Sequence, residues 1–384
     1  MRTVFVAVGA AASLLAFGAA SAQASSGATT TYVSPSGHAN GHGTSCHSAR
    51  YSTINAAVAA TSAGGKVVVC SGLYRTEVII SKPLSLVGRP GAVIDAHGQK
   101  PPKVGTLTLP GSIGVGVLAT SHVQVRGLTV EDAGFDAILI ARSSDVTATN
   151  NRLVDNGDVG VDINGSSWSQ ATGNVSEHNT GGGFLVADDV GAAGHNVVGW
   201  NVASDNPGGC GVIVAGHTTA GVTHTLVQGN LLTDNGTLKS SGGGAGVVIA
   251  TEVPGETVAD NTVAGNRIYG NGLAGVTIHG HVPGQHLNGN RITGNWIGTN
   301  NTLGDPIGLA TSPTSKKNVA VADKLTTGIL VGSASPISVQ ITGNTIVANH
   351  YGVFLEGVGH IVNAAVYGNG FHHVTTPLKR VIVK

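Results

Sequence analysis

Short apolar triplets recur along this chain at a fixed spacing, and that spacing limits what the chain can fold into. Triplets begin at Val115, Ile138, Val161 and Phe184, 23 residues apart each time. Each repeat is led in by glycine and closes on a pair of asparagines, as in GVDINGSSWSQATGNVSEHN. A period between about 20 and 50 residues indicates a solenoid, a propeller or an array. Three-residue strands are too little for a four-stranded blade, and the leucine spacing of a horseshoe is missing. The pattern therefore predicts an all-β coil of parallel strands, one short strand per face per turn. Parallel strands buried inside such a coil read as Val/Ile/Leu triplets.

Later triplets begin at Val212, Val247, Val276, Ile329 and Val353, in steps of 28, 35, 29, 53 and 24 residues. A longer step means a loop extruded from a coil that otherwise stacks normally, or one further coil. The longest step predicts a coil around Ile297 and an exposed loop over Asn300 to Lys324. Two asparagine registers accompany the triplets. One runs Asn151, Asn174, Asn201, Asn230, Asn266, Asn290, Asn344, Asn369. The other runs Asn156, Asn179, Asn206, Asn235, Asn271, Asn295, Asn349. Stacked coils bring like residues about 4.8 Å apart, so the amides are expected to form ladders at the corners.

The chain has 384 residues, long for one globular core, but a solenoid grows in one dimension and escapes that limit. The organisation expected is a signal peptide over 1–24, an N-terminal cap with the first coils over 25–110, and regular repeats over 111–384. Met1 to Ala24 is short, apolar and alanine-rich and ends in small residues, as a secretory leader does. That predicts a secreted, extracellular protein with no membrane span. Ile54, Ala57 and Val58 fall on one face of a helix over Tyr51 to Ala63, capped by Ser52 or Thr53 and stopped by Gly64-Gly65. Such a helix plugs the open end of a coil. Cys46 and Cys70 flank it and are expected to form a disulfide in an oxidising compartment. Cys210 is then a buried free thiol.

The run from Ser52 to Gly88 contains STINAAV, KVVVCSGLY and KPLSLVG. In these segments the chain resembles secreted right-handed parallel β-helix proteins of the pectin-lyase-like superfamily, which includes pectinesterases. The resemblance covers about Tyr32 to Val374 and rests on structural residues. It implies a right-handed coil, and for activity it implies the superfamily's work on polysaccharides, by lyase, hydrolase or epimerase chemistry.

Strand alternation places the first and third residues of each triplet inside and the second outside. The outer column is Leu139, Asp162, Leu185, Ile213, Val248, Thr277, Leu330 and Phe354. Only Asp162 is charged, and the apolar remainder predicts cover by a loop or a partner. Asp136 and Asp158 sit at turns entering neighbouring strands. Asp136, Asp158 and Asp162 are therefore the candidate catalytic carboxylates, since a close pair serves as acid and base in glycoside cleavage. Members of the superfamily that hydrolyse pectin use aspartates on this face. The nearest basic residues, Arg142 and Arg152, are the candidates for binding an acidic substrate. The third residue after each triplet's end gives a second column, with Asp189, His217, Glu252 and His281 on successive repeats. Mixed His/carboxylate ligands suit a divalent cation, calcium or zinc.

Lys+Arg and Asp+Glu number 20 each. A neutral chain is a poor partner for nucleic acid, which rewards a basic patch. Three readings follow. The first is an enzyme acting on an extracellular polysaccharide, an acidic glycan favoured. The second is a non-catalytic secreted scaffold that binds glycan or protein. The third is a divalent-metal-handling protein. The pectinesterase pattern and the Asp-Pro-His run of alginate epimerases are both missing, so the resemblance names no single reaction.

Overall fold

The computed structural model describes residues 29–104, 107–280, 282–304 and 325–383. Among them, three long parallel sheets of twelve, eleven and eleven strands account for nearly all the secondary structure. Sheet 1 runs from Thr30–Val33 to Asn363–Tyr367, sheet 2 from Gly72–Arg75 to Gly370–His372, and sheet 3 from Val78–Ile80 to Thr376–Val383. Strand order within each sheet follows chain order, so the chain visits the three sheets in turn and climbs one rung per circuit. One such rung is Ser144–Thr149, Arg152–Val154 and Val159–Asn164.

The triplets stack as the period requires. Ile138 is in register with Val161, and the column continues through Phe184, Val212, Val247, Val276, Ile329 and Val353. All eight are fully buried in one continuous core that runs the length of the coil. A rung cannot bury its apolar face alone, so the repeats stabilise one another by stacking. The middle residues of the triplets point outward, yet Leu139, Thr277, Leu330 and Phe354 are each 2 % exposed. Leu109 and Ile113 cover Leu139, while Leu273 and Ala245 pack beside Val248. The outer face of sheet 3 is thus roofed, as its apolar composition demands.

Helix α1 (Ile54–Ala60) is capped by Thr53, which accepts from the Ala56 amide, and it buries Ile54, Ala57 and Val58. It ends before Gly64 because the Thr61 hydroxyl and amide both bond back to the Ala57 carbonyl, closing the last turn. Cys46 and Cys70 form the disulfide, which ties the loop before α1 to the residue after strand Gly65–Val69. Cys210 is free; its Sγ accepts from the Ala245 amide, and burial pushes its thiol up to about 11. No helix among the described residues is long and apolar enough to cross a membrane. The leader expected over 1–24 lies outside the described residues.

The asparagine ladders are present, with one correction. The ladder between sheets 1 and 2 runs from Asn151 through Asn174, Asn201, Asn230 and Asn266 to Asn295, Asn344 and Asn369. The ladder between sheets 2 and 3 passes from Asn271 to Asn300, whose amide then donates to Asn349. Asn290 belongs to a third corner with Asn261, on the way into sheet 1. Asn290 and Asn295 were each expected one corner too late. Asn300 is therefore part of the scaffold, and of the loop expected over 300–324, residues 305–324 lie outside the described residues.

Candidate active site

Strand Val159–Asn164 carries Asp162 outward from sheet 3, beside Leu139 of the previous rung and Leu185 of the next. Asn164 follows two residues later and faces the same way. The next rung supplies Asp189, just past strand Gly182–Ala187, and the one after supplies His217, just past Cys210–Gly216. These side chains are joined. Asn164 Nδ2 donates to Asp162 Oδ2 (3.2 Å) and to Asp189 Oδ2 (2.7 Å), and the other Asp189 oxygen meets His217 Nδ1 at 2.9 Å. Asn164 Oδ1 in turn accepts from the Val190 amide, which fixes the side-chain amide in place.

His217 is held from behind. Asp188 is fully buried, and its two carboxylate oxygens accept from the amides of His217, Thr218 and Gly221 and from the Thr218 hydroxyl. Four donors on one side chain fix its position. It shapes the turn that presents the imidazole.

The group lines a cleft of about 240 Å³, walled by Asp158, Leu185 and Phe135 and roofed by Leu109 and Pro110. The cleft continues into a groove of about 400 Å³ that shares Asp158, Leu185 and His217 and reaches Thr277. Together they follow the outer face of sheet 3 along the coil axis.

Burial sets the charges. It pushes the Asp162 carboxyl up to about 8, against the opposing bond from Asn164, and the nearby Asp189 and Asp158 add to the rise. Asp162 Oδ1 has no hydrogen-bond partner among the described residues, as suits a group left to meet a ligand. Burial pushes Asp158 up to about 6. Asp136 is fully buried, and its pKa is raised well above the ordinary value, first by burial and then by Asp162 and Asp158. Burial also acts to raise Asp189, but bonds from His217 and Asn164 outweigh it and leave the net pKa lowered. The bond from Asp189 lifts His217 to about 9, over the opposite pull of burial. At neutral pH the cleft thus holds a protonated carboxyl at Asp162, a carboxylate at Asp158, and an Asp189–His217 ion pair.

The structure brings together Asp158, Asp162, Asp189 and His217, which the sequence had divided between a catalytic trio and a metal column. Asp136 lies beneath, accepting from the Val159 amide at 3.5 Å, and its carboxyl does not line the cleft. Arg142 does not line the cleft: its Nε donates to the Val190 carbonyl at 3.1 Å, and it lines a separate hollow with Ser143 and Ser167. Arg152 is elsewhere: it is on sheet 2, exposed, and paired with Glu177 at 3.3 Å. Glu252 lines the far groove, and His281 lies outside the described residues. Among the described residues, no three His, Cys, Asp or Glu side chains converge as metal ligands. The cover expected over the apolar column comes from Leu109 and Pro110, residues the sequence did not single out, and Asn164 was not foreseen. Asn164 had a signal: its partners in register, Ala141 and Ala187, are alanines.

A family model described as a right-handed β-helix region matches residues 106–232. No curated protein matches the chain. Among solved structures, the fold is similar to an alginate lyase from Paenibacillus sp. str. FPU-7, at 14 % identity and a TM-score of 0.53, over 86 % of this chain and 96 % of that one. It is also similar to the A-module of the mannuronan C-5 epimerase AlgE4 of Azotobacter vinelandii, at 18 % identity and 0.54, over 82 % and 89 %. A GH136 lacto-N-biosidase from Eubacterium ramulus gives 11 % and 0.51, over 89 % and 68 %. Sheet topology, register and these likenesses together give this chain the fold of a right-handed parallel β-helix.

Proposed function

We propose that the protein is a secreted enzyme that cleaves an acidic polysaccharide in the sheet 3 cleft by acid–base chemistry, with elimination favoured over hydrolysis. The observation that carries this reading is the hydrogen-bonded chain Asp162–Asn164–Asp189–His217 on the outer face of the coil. Two of its groups, Asp162 and His217, are protonated at neutral pH, and Asp158 beside them is ionised. Groups whose environments drive their pKa values apart mark acid and base roles.

Elimination from a uronate requires three things: relief of the sugar carboxylate's charge, a base for the adjacent proton, and an acid for the leaving oxygen. Protonated Asp162 and the His217 imidazolium supply donors for the carboxylate and the leaving group. Asp158 is the base in reach of the same cleft. Hydrolysis needs one acid and one base and leaves the second protonated group unexplained. The similar solved structures include an alginate lyase and a mannuronan epimerase, which accords with an acidic substrate by analogy of fold.

The test is turnover of a panel of alginate, polygalacturonate and glycosaminoglycans by the mature protein. Appearance of the ultraviolet absorbance of unsaturated uronates is the expected result. New reducing ends without that absorbance would replace elimination by hydrolysis. Folded protein that binds a polymer and turns over none would favour a binding scaffold instead.

A further inference from the structure

Sheet 2 carries a second feature that the cleft does not use. Trp296 is outward-facing and 36 % exposed. Its indole lies along the strand because the position two residues on is glycine. A Cβ on Gly298 would stand 3.0 Å from the indole Cη2 and Cζ3. Tyr269 of the previous rung meets the indole edge-on, with centroids 6.0 Å apart. The exposed guanidinium of Arg267 lies 4.8 Å from the indole centroid and 5.6 Å from the Tyr269 ring. Arg267 has no carboxylate partner among the described residues.

Beside these rings is a hollow of about 340 Å³, lined by Tyr269, Trp296, Thr299, Thr302 and Val347. The Thr299 and Thr302 hydroxyls donate to the Ala348 and Asn271 carbonyls, so each oxygen remains able to accept. Asp234 is the acid at the rim, with its carboxylate packed on Gly270. Burial and Asp205 hold its pKa above the ordinary range.

The hollow and the sheet 3 groove approach one another at a corner of the coil. Gly243 and Leu273 line the groove on sheet 3, and a Cβ on Gly243 would touch both Leu273 and Leu303, the residue after Thr302. From the Asp162 rung to the Trp296 rung is five steps of the coil, about 24 Å at one strand spacing per step. A polymer chain leaving the cleft along the groove would turn the corner at Leu273 onto sheet 2.

We propose that this hollow is a second, non-catalytic subsite for a carboxylate-bearing sugar residue of the polymer that enters the cleft, an inference that rests on the polysaccharide reading above. A pyranose ring fits against an aromatic face flanked by hydrogen-bond acceptors. The guanidinium offers a fork of donors to the sugar carboxylate, and stacking on the indole holds that fork in place.

The test is calorimetric binding of alginate, polygalacturonate and neutral dextran to the mature protein carrying Asp162→Asn, which stops turnover during the titration. Trp296→Ala and Arg267→Gln, each added to that background, are expected to weaken polyuronate binding roughly tenfold. Trp168→Ala, at an exposed tryptophan in the bend before strand Gln170–Thr172, leaves it unchanged. Arg267→Gln alters an exposed side chain and keeps the test valid should Trp296→Ala fail to fold. Polyuronate affinity unaltered in both variants overturns the proposal. So does equal binding of dextran, or no binding of either polyuronate to the background protein. Retained turnover in Asp162→Asn would remove the cleft's assignment alone, and the binding ratios would still decide the hollow.

Discussion

Asn164 is the residue on which the cleft's charges turn. It donates to both Asp162 and Asp189, so it favours the ionised form of each, and Asp189 takes the stronger share through the shorter bond. Asp162 keeps its proton because burial outweighs that one long bond. The Asp158 and Asp162 carboxyls titrate as a linked pair, and kcat/KM is expected to be bell-shaped, with limbs near pH 6 and pH 8. A profile rising steadily through pH 9 would contradict the assignment of Asp162 as acid. A stability effect follows as well. The folded pKa of Asp162 is about 8 against an ordinary 3.8. Below the ordinary value both states hold the proton. Between the two values folding must take one up, so native stability declines as pH rises toward 8. Asp162→Asn removes that burden. Its Tm advantage over the parent should be absent at pH 4 and grow up to pH 8, read by thermal unfolding across pH.

At the scale of the element, the asparagine corners hold the coil more than any single strand does. Asn201 accepts from the Asn174 amide and side chain and donates to the Ala171 carbonyl and to Asn230. Asn201→Ala strands several buried groups and is expected to cost about 3 kcal/mol in urea unfolding, with turnover in the remaining folded protein unchanged. Reduction of Cys46–Cys70, which closes a loop with a sequence separation of 24, is expected to cost about 3 kcal/mol. The triplet register was legible in the sequence because strand side chains alternate strictly and the core admits only apolar residues. The corners were less so. Asn290, Asn295 and Asn300 are five residues apart, and five is also the distance between neighbouring ladders, so spacing alone fits two registers. Asp162 stood out as the only charge in an apolar column. Asn164 did not, because an asparagine near a strand end reads as one more corner. Arg152 looked close to the aspartates by chain distance, but a corner separates sheet 2 from sheet 3 and turns it away.

Over the whole molecule, the loops that lengthen some rungs are what make a cleft. A bare coil offers a flat, apolar face. Residues from the excursion before Gly111 roof one end of it, and the glycine-rich segment at 243–245 walls the other. Neither shows any period, so the apolar column pointed to a cover without naming the residues that form it. Asp189 already accepts from His217 and Asn164, so an ion would have to displace a made bond at each oxygen. Turnover is therefore expected to survive chelator, and a loss restored by zinc or calcium would bring the metal column back into account. The chemistry proposed for the Asp162 cleft is acid–base cleavage of an acidic polymer. Its most direct test compares the parent with Asp162→Asn on a polyuronate substrate, with Arg152→Ala as the sheet 2 control. A fall of at least about a hundredfold in kcat for Asp162→Asn, with Arg152→Ala at parental rate, is the predicted result. Equal rates in the parent and in Asp162→Asn would contradict the claim.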